Sequence, residues 1–321
     1  MTKISVVIPA YRPDTLYTPI SSVINQTFDD WELLIVGQGK VEEKRASNVL
    51  ALANGFSQKD SRIRYAHSNK MGHSCAVNTG IELAKGEIVS LLDDDCEAQD
   101  SWLETIAQYY AENPHIQLLG GRVLPPKKEK RLGVCPNVNP SEAVYDPVSS
   151  QYKPPSGFNW IGANVSFKRE VALETGPFDE FIGSGTIFPA AGETDYMLRL
   201  ERRGTIMMST PKVSVIHKHG YRYGIKAVLS HTFNYAYGNG GLAGKLTLMG
   251  DPRGEKWKSD TIRKRVLGRL RSFHIHRLPF DIIRLNNFLV AYHRCIKEYQ
   301  VIGDLLAPID KKQSRSFAGI R

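Results

Sequence analysis

The chain has 321 residues, of which 41% are apolar and 23% are charged. This length allows one large α/β domain with an appendage or two domains, and the composition is that of a soluble globular protein. The four cysteines have no C-x-x-C spacing, which argues against a zinc site and for free thiols in a reducing compartment. No apolar stretch approaches the roughly 18 residues of a membrane span. The N-terminal apolar run is too short for a signal peptide. We therefore expect a cytoplasmic protein.

The net charge of +9 is concentrated at one end of the chain. Residues 245–321 contain 17 Lys and Arg against 7 Asp and Glu, and the remainder is close to neutral. Such a basic segment predicts an anionic partner, for example a membrane surface or a phosphorylated acceptor. A solvated surface or a homodimer interface remains an alternative. No recognised nucleic-acid motif accompanies the charge, so we expect no specific nucleic-acid partner.

Strands and helices alternate along the first hundred residues. Apolar runs predict strands at Ile4–Pro9, Trp31–Val36, Ile63–His67 and Glu87–Leu92. Helical spacing predicts helices that begin at Pro13, Glu42 and His73. The alternation indicates a doubly wound α/β fold with a mostly parallel sheet, in which ligands bind beyond the carboxyl ends of the strands. Four polar segments fall there: Pro9–Arg12, Gly37–Lys40, Asn69–Gly72 and Asp93–Asp95. The chain lacks G-x-G-x-x-G at this position, which disfavours a dinucleotide fold.

Three consecutive aspartates follow the fourth predicted strand. Their like charges would repel one another near a core unless a cation neutralised them. If the extended chain continued, Asp93 and Asp95 would point to the same side. Two hard carboxylates on one side suit Mg²⁺ or Mn²⁺, with phosphate oxygens as further ligands. The alternative is a solvated acidic loop, or a cap for a helix at Ser101–Asn113.

The second half of the chain is less regular. Gly120–Asn159 contains seven of the 17 prolines and predicts a long loop. Strands are predicted at Trp160–Lys168 and Val213–Ile216, with an amphipathic helix at Gly192–Gly204 between them. Beyond Tyr221 no strand pattern is found, and the predicted helices are Lys226–Tyr237, Thr261–Phe273 and Asp281–Tyr299. The predicted domains are 1–222, carrying the site, and 223–321, basic and mainly helical.

Several motifs in this order resemble those of family 2 glycosyltransferases with the GT-A fold. They cover about residues 4–220: S-V-V-I-P-A-Y at Ser5–Tyr11, N-Q-T at Asn25–Thr27, the N-x-G spacing from Asn69 to Ile81, D-D-D at Asp93–Asp95, G-A-N-V-S-F-K-R at Gly162–Arg169, G-P-F-D-E at Gly176–Glu180, and the acidic L-R-L helix at Gly192–Gly204.

The resemblance implies a role for particular residues. The D-x-D metal ligands would be Asp93 and Asp95, binding Mg²⁺ or Mn²⁺, and His217 or His219 would complete the metal shell or contact phosphate. The nucleotide sugar would contact Pro9, Ala10, Tyr11, Arg12, Gln38, Asn69, Gly72, Asn78, Asp93 and Asp94. Glu193 is the first choice for the catalytic base and Asp195 the second, although acids in a first helical turn also stabilise the helix dipole. Trp160 and Asn164 would face the acceptor, with a core position as the alternative for Trp160.

Two positions depart from the family pattern. Gln38 stands where the family usually has an aspartate that contacts the nucleobase, and Gly192 replaces the first acid of the last motif. The resemblance still implies a metal-dependent, inverting glycosyltransferase of the hexosyltransferase type, working in cell-surface polysaccharide or glycolipid synthesis. Its partners would be a nucleotide-sugar donor and a saccharide or lipid-linked acceptor, with residues 245–321 on an anionic membrane surface. The alternatives are a catalytically degenerate nucleotide-binding protein and a sugar-nucleotide pyrophosphorylase.

Overall fold

A computed structural model describes residues 3–127, 130–267 and 278–309 of the chain. The strands are β1 (Ile4–Ala10), β2 (Trp31–Gln38), β3 (Ile63–Ser68), β4 (Ile88–Leu92), β5 (Glu97–Ala98), β6 (Leu118–Leu124), β7 (Gly133–Val134), β8 (Ala143–Tyr145), β9 (Asn164–Lys168), β10 (Met207–Ile216), β11 (Arg222–Tyr223), β12 (Tyr299–Ile302) and β13 (Leu305–Pro308). The helices are α1 (Pro13–Ile24), α2 (Lys44–Ser57), α3 (His73–Leu83), α4 (Trp102–Glu112), α5 (Arg169–Thr175), α6 (Gly192–Arg202), α7 (Ile225–Leu248), α8 (Pro252–Ile262) and α9 (Leu278–Glu298), with a π-helical turn at Arg263–Leu267 after α8.

Nine strands form one sheet in the order β3-β2-β1-β4-β9-β6-β10-β5, with β8 also paired to β10. The neighbours β3, β2, β1 and β4 run parallel. Strand β9 is antiparallel to both β4 and β6, and β10 is parallel to β6. The predicted mostly parallel α/β sheet is confirmed.

Strand β1 shows why the sheet is buried on both faces. Successive side chains of a strand point to opposite faces. Ile4 and Ile8 therefore pack in one apolar cluster with Leu16 of α1, whereas Val7 packs in a second cluster with α3. A Cβ atom at Gly80 of α3 would lie 2.3 Å from the side chain of Val7, so glycine is needed for this close approach.

The described residues divide into two compact units. One contains the described residues up to Phe178 together with Tyr196–Val228, and the other contains Asp179–Asp195 and the described residues from Leu229 onward. The sequence prediction placed the boundary after residue 222 and assigned residues 179–195 to the first domain. The structure instead groups that segment with the C-terminal helices.

The predicted loop at Gly120–Asn159 begins inside β6 and contains β7 and β8. The glycine pair at 120 and 121 lies in β6, where packing explains it. A Cβ atom at Gly121 would lie 2.3 Å from the side-chain nitrogen of Asn164, and one at Gly120 would lie 2.4 Å from Cβ of Trp160. Small residues here let two strands and their neighbours approach closely.

The expectation of no strand beyond Tyr221 is wrong. Strands β12 and β13 form a hairpin whose two-residue turn contains Gly303 with φ of 61°, a conformation that glycine adopts at little cost. Helix α7 also runs eleven residues past its predicted end at Tyr237, because its glycines are packing positions rather than helix breaks. Of the predicted helix Thr261–Phe273, residues 268–273 lie outside the described residues. None of the described helices combines the length and apolar character needed to cross a bilayer.

Candidate active site

The three consecutive aspartates lie in a turn directly after β4. The strand ends at Leu92, and the backbone N–H of Cys96 donates to the carbonyl of Asp93 at 3.1 Å. The extended chain does not continue through the aspartates, so the condition for Asp93 and Asp95 to point to the same side is not met. Each of the three carboxylates has its own set of partners.

Asp94 holds the loop between β1 and α1. Its Oδ2 accepts hydrogen bonds from the backbone N–H groups of Tyr11 and Arg12, each at 2.7 Å, and its Oδ1 accepts from the Arg12 guanidinium. Burial raises the pKa of Asp94, and the charge of Arg12 and the two N–H groups only partly oppose this shift. Asp94 thus ties the carboxyl end of β1 to that of β4. A donor contact of Asp94 stays a prediction.

Asp95 is fully buried and has three basic side chains around it. Oδ2 lies 2.7 Å from Nη1 of Arg12 and 3.4 Å from Nη2 of Arg222, and Oδ1 lies 3.0 Å from Nε2 of His217. Burial alone would raise the pKa of Asp95, but the hydrogen bond and charge of His217 and the charges of both arginines hold it well below its usual range. Asp95 is therefore an ionised carboxylate at neutral pH.

His217 follows β10, and the backbone orients its ring. Nδ1 lies 2.8 Å from the carbonyl oxygen of Pro136, which can only accept, so Nδ1 carries a proton and Nε2 faces Asp95. Burial lowers the pKa of His217, but the hydrogen bond to Asp95 and the charge of Asp95 raise it overall above its ordinary value. The ring of His219 lies 3.3 Å from the hydroxyl of Thr18. The backbone N–H of His219 donates to the carbonyl of Asp95 at 3.0 Å, but of the two predicted histidines only His217 has a ring that contacts the Asp95 carboxylate.

The donor set around Asp95 fits a divalent cation. Across residues 3–127, 130–267 and 278–309, one group of metal-ligating side chains has all its ligand atoms within 4.8 Å of one another: Asp95, Cys96 and His217. Burial raises the pKa of the Cys96 thiol, so it stays protonated and is a poor ligand. A carboxylate and an imidazole oriented by a backbone carbonyl remain, and this is a common ligand pair. Oδ1 of Asp93 instead lies 3.2 Å from Nε2 of His73, so two of the three predicted ligands come together.

Tyr11 follows β1, and Gln38 is the last residue of the neighbouring strand β2. Arg45 of α2 contacts both residues. Its guanidinium carbon lies 4.0 Å from the centroid of the Tyr11 ring, and its nitrogens donate to the carbonyls of Tyr11 and Gln38 at 3.4 and 3.2 Å. Oε1 of Gln38 accepts from the backbone N–H of Gly72 at 2.9 Å. The structure thus brings residues of the first three predicted loops together at one edge of the sheet.

Residues 5–176, more than half of the chain, match the family model described as Glycosyl transferase family 2. The chain belongs to glycosyltransferase family 2. It is similar to the glucosyl-dolichyl phosphate glucuronosyltransferase of Haloferax volcanii, with 29% identity over 226 residues that cover 67% of this chain and 69% of that protein. It is also similar to glycosyltransferase GlyG of Streptococcus pneumoniae serotype 4, with 30% identity over 119 residues. That match covers 36% of this chain and 38% of GlyG, so it concerns only part of each protein.

Among solved structures, this glycosyltransferase is similar to the mannosyltransferase PcManGT from Pyrobaculum calidifontis, solved in complex with GDP-Man and Mn²⁺. The TM-score is 0.56 at 11% identity, and the match covers 92% of this chain and 87% of that chain. At this identity the likeness shows the fold alone. The GT-A fold expected from the sequence is confirmed.

The two residues predicted on the acceptor side of this glycosyltransferase lie in its core. The amide nitrogen of Asn164 donates to the carbonyls of Arg122 and Val213 at 2.9 and 3.0 Å, and its oxygen accepts from the Trp102 indole at 2.9 Å. Asn164 therefore joins three segments inside the sheet unit. Trp160 is 6% exposed and packs in an apolar cluster. Both side chains are buried, and an acceptor contact stays a prediction for each.

Other predicted donor contacts also hold the fold together. The amide of Asn78 bonds twice with the backbone of Phe178, accepting from its N–H at 2.7 Å and donating to its carbonyl at 2.9 Å. Pro9 and Ala10 are buried within β1, whereas Asn69 is exposed. The structure therefore gives Asn78 a packing role. For Pro9, Ala10 and Asn69 a donor contact stays a prediction.

The two candidate bases lie in the first turn of α6, in the second unit. Glu193 is partly exposed, whereas Asp195 is 2% exposed. Oδ1 of Asp195 lies 2.6 Å from Nζ of Lys245, which is itself fully buried. A buried, ion-paired carboxylate is a poor proton acceptor, so the contrast favours Glu193 over Asp195.

Sequence reasoning missed Arg45, His73, Arg222 and Lys245. The first three carried no signal, because arginine and histidine side chains are mostly exposed or partly exposed in folded proteins. Lys245 did carry one. It is the single charged residue in the run G-G-L-A-G-K-L-T-L, and a lone charge among small and apolar residues indicates a buried ion pair.

Proposed function

We propose that this chain is a metal-dependent, inverting glycosyltransferase that moves a hexosyl group from a nucleotide-sugar donor to a hydroxyl of a saccharide or lipid-linked acceptor. The observation that carries the proposal is the buried Asp95 carboxylate facing Nε2 of His217, at the end of β4. Family membership supplies the sugar transfer, and this pair supplies the metal dependence.

Asp95 and His217 would hold the divalent cation, either Mn²⁺ or Mg²⁺. When bound, such a cation neutralises the negative charge that develops on the departing nucleoside diphosphate. The complex of PcManGT with GDP-Man and Mn²⁺ supports this choice. Arg12 adds positive charge beside the site, and its guanidinium is held by both Asp94 and Asp95. Tyr11, 45% exposed and in contact with Arg45, offers a ring on which a nucleobase could stack.

Glu193 would act as the general base. It would take the proton of the acceptor hydroxyl as that oxygen bonds to the anomeric carbon, and the bond from that carbon to the diphosphate would break on the opposite side. The products are the glycoside of inverted configuration, a nucleoside diphosphate and a protonated Glu193. A positioned general base contributes about 10²–10⁴-fold to a rate.

A lipid-linked acceptor agrees with the basic C-terminal region. The described residues include a surface cleft of about 720 Å³ lined mainly by basic side chains, namely Arg253, Lys256, Lys264 and Arg265, together with Trp257, Asp260 and Thr261. Basic side chains around an aromatic ring suit an interface with anionic headgroups. The name of the Haloferax volcanii relative refers to a glucosyl-dolichyl phosphate, which supports an acceptor of this class.

The experiment is a turnover assay with a panel of nucleotide sugars, with Mn²⁺ or with EDTA, in which nucleoside diphosphate release is measured. We expect one donor to be consumed with Mn²⁺, and consumption to be lost with EDTA and in Asp95→Asn. Glu97→Gln is the matched control, because it makes the same charge change two residues away in a surface pair with Lys218. Turnover that survives EDTA and Asp95→Asn would contradict the metal-dependent reading. Binding of a nucleotide without any turnover would favour the degenerate binding protein, which the replacement at Gln38 makes the second candidate.

A further inference from the structure

We propose that Lys245, on α7, is a positioning residue for the general base Glu193, and that it acts through Asp195. This inference rests on the proposed function, because it needs Glu193 to be the base. All the residues that carry it lie in the second unit.

The first observation is the burial and pairing of Lys245. Its side chain has no exposed surface, and Nζ lies 2.6 Å from Oδ1 of Asp195 and 2.8 Å from Oδ2 of Asp179. Charged amines are almost never fully buried unless they are paired. One ammonium group therefore joins two carboxylates in a site without water contact.

The second observation is that Asp179 is fixed independently. Its Oδ2 also accepts from the backbone N–H of Leu306 in β13 at 2.8 Å, and its Oδ1 accepts from the N–H of Phe181 at 2.9 Å. Asp179 thus anchors the ammonium group to the β12–β13 hairpin and to its own loop. Because Asp195 lies in α6, its ion pair connects the anchored ammonium group of Lys245 to that helix.

The third observation is the backbone just before α6. Ala191 has φ of 69°, a left-handed conformation that residues with a Cβ atom adopt only when the surroundings impose it. Its carbonyl accepts the N–H of Asp195 at 2.9 Å, which closes the first turn of the helix. Glu193 lies inside this closed turn, so whatever holds Ala191 and Asp195 also fixes the backbone of Glu193.

One face of α7 packs against this turn and holds it in place. Gly238, Gly241 and Lys245 recur at helical spacing, and each meets the segment from 188 to 195. A Cβ atom at Gly238 would lie 2.5 Å from the backbone nitrogen of Ala190, and one at Gly241 would lie 2.3 Å from the ring of Phe188. Two glycines therefore bring the helix close to the strained turn, and Lys245 completes the contact with an ion pair.

The consequence for catalysis is geometric. A base must lie within hydrogen-bond reach of the proton that it removes, and a displacement of about 1 Å can cost roughly 10²-fold in rate. Lys245 contacts no reacting atom in this account. It keeps the turn that carries Glu193 in one position, so its loss should lower kcat and leave donor binding unchanged.

The test compares Lys245→Met with Phe288→Leu in the full chain. Phe288 is 3% exposed in the small apolar cluster with Ala243 and Tyr292, so its substitution is a control for lost packing in the second unit. Both variants are assayed well below their thermal midpoints, with Mn²⁺ and the donor identified by the turnover assay. We expect Lys245→Met to lower kcat about 10²-fold with KM for the donor unchanged, and Phe288→Leu to keep kcat within about 3-fold. Equal kcat values in the two variants would overturn the inference.

Asp195→Asn is the second variant, and it decides the matter if Lys245→Met does not fold. It removes the charge that Lys245 holds but keeps an oxygen acceptor, so we expect a kcat loss of about 10-fold, smaller than that of Glu193→Gln. A kcat within about 3-fold of the unsubstituted chain would overturn the inference. So would a loss that matches Glu193→Gln, because Asp195 would then be part of the chemistry itself. Full activity in Glu193→Gln would instead refute Glu193 as the general base. The buried ion pairs of Lys245 would then be a feature of stability alone.

Discussion

Among the described residues, the buried charge clusters of Asp95 and Lys245 are built in opposite ways. In the first unit one carboxylate, Asp95, is surrounded by three basic side chains, and two of them, Arg12 and Arg222, remain about one third exposed at 37% and 34%. In the second unit one ammonium group, Lys245, joins two carboxylates, and all three side chains are almost completely buried.

The difference shows which cluster can exchange partners. Arg12 and Arg222 remain partly open to solvent, so a phosphate can approach their guanidinium groups without their complete desolvation. Lys245 has no such freedom, because removal of either partner would leave an uncompensated charge in a dry interior. We therefore interpret the Asp95 cluster as a binding site and the Lys245 cluster as a group of ion pairs that holds the structure in place.

The largest expected effect is the loss of stability when Lys245 is replaced. Lys245→Met leaves Asp179 and Asp195 buried side by side, and loss of one partner of a buried ion pair destabilises by about 3–5 kcal/mol. The measurement is the free energy of unfolding in urea. Lys218→Met is the control, since Lys218 pairs with Glu97 at 2.8 Å on the surface and should cost less than about 1 kcal/mol. Equal losses in the two variants would contradict the contrast.

The second prediction concerns the ligand in the binding site. His217→Ala removes Nε2 from the proposed donor set, and we expect Mn²⁺ affinity in the presence of a nucleoside diphosphate to fall by at least about 10-fold. The measurement is the electron paramagnetic resonance signal of free Mn²⁺ during a titration. His219→Ala is the matched control, because that ring contacts Thr18 rather than Asp95. A similar decrease in both variants would argue against His217 as a ligand.

These contrasts also show what the sequence could predict of the fold. Strands β1, β2 and β4 are continuous apolar runs, so their positions and the α/β alternation are readable locally. Strand β6 was missed because the proline-rich segment was taken to begin at Gly120, and the packing of Gly120 and Gly121 against Trp160 and Asn164 is visible only in the tertiary structure. The β12–β13 hairpin was missed although Gly303 and Asp304 are ordinary residues for a two-residue turn.

Site prediction failed where a side chain has a distant partner. Asp95 and His217 do lie together, since both follow strands of one sheet, and their role as metal ligands stays a prediction. Asn164 fits the family motif but its amide is used inside the core, and no local pattern reveals this. The pairing of Lys245 with Asp195 spans fifty residues, so only the tertiary structure could show it.

The third prediction concerns the pH range in which the Asp95 cluster stabilises the fold. The pKa of Asp95 is lowered from 3.8, so the stability that it contributes is present above that value and is lost as pH falls through the lowered pKa. The pKa of His217 is raised from 6.5, so its contribution is present below 6.5 and is lost as pH rises through the raised pKa. With a chelator present, the thermal midpoint of the unsubstituted chain minus that of Asp95→Asn should be largest between about pH 4 and 6.5. A difference that does not vary from pH 3 to 9 would contradict these shifts.

The smallest expected effect concerns the rim of the site. Arg45→Ala removes a guanidinium that stacks on Tyr11, and such a contact is worth about 0.5–1 kcal/mol at an exposed position. We expect nucleoside diphosphate binding to weaken by about 2- to 5-fold, measured by calorimetry. Arg62→Ala is the control, since Arg62 stacks on Trp31 at 3.8 Å and has no part in the site. A loss of affinity in Arg62→Ala alone would place the nucleotide elsewhere.

Calorimetric titration of nucleoside diphosphates, with Mn²⁺ and then with EDTA, tests most directly whether Asp95 and His217 hold a donor-binding metal. It is performed on the unsubstituted chain and on Asp95→Asn. We predict that one nucleoside diphosphate binds the unsubstituted chain at least about 10-fold more tightly with Mn²⁺ than with EDTA, and that Asp95→Asn binds it equally weakly in both. Tight binding that persists in EDTA, or that Asp95→Asn retains with Mn²⁺, would contradict the account.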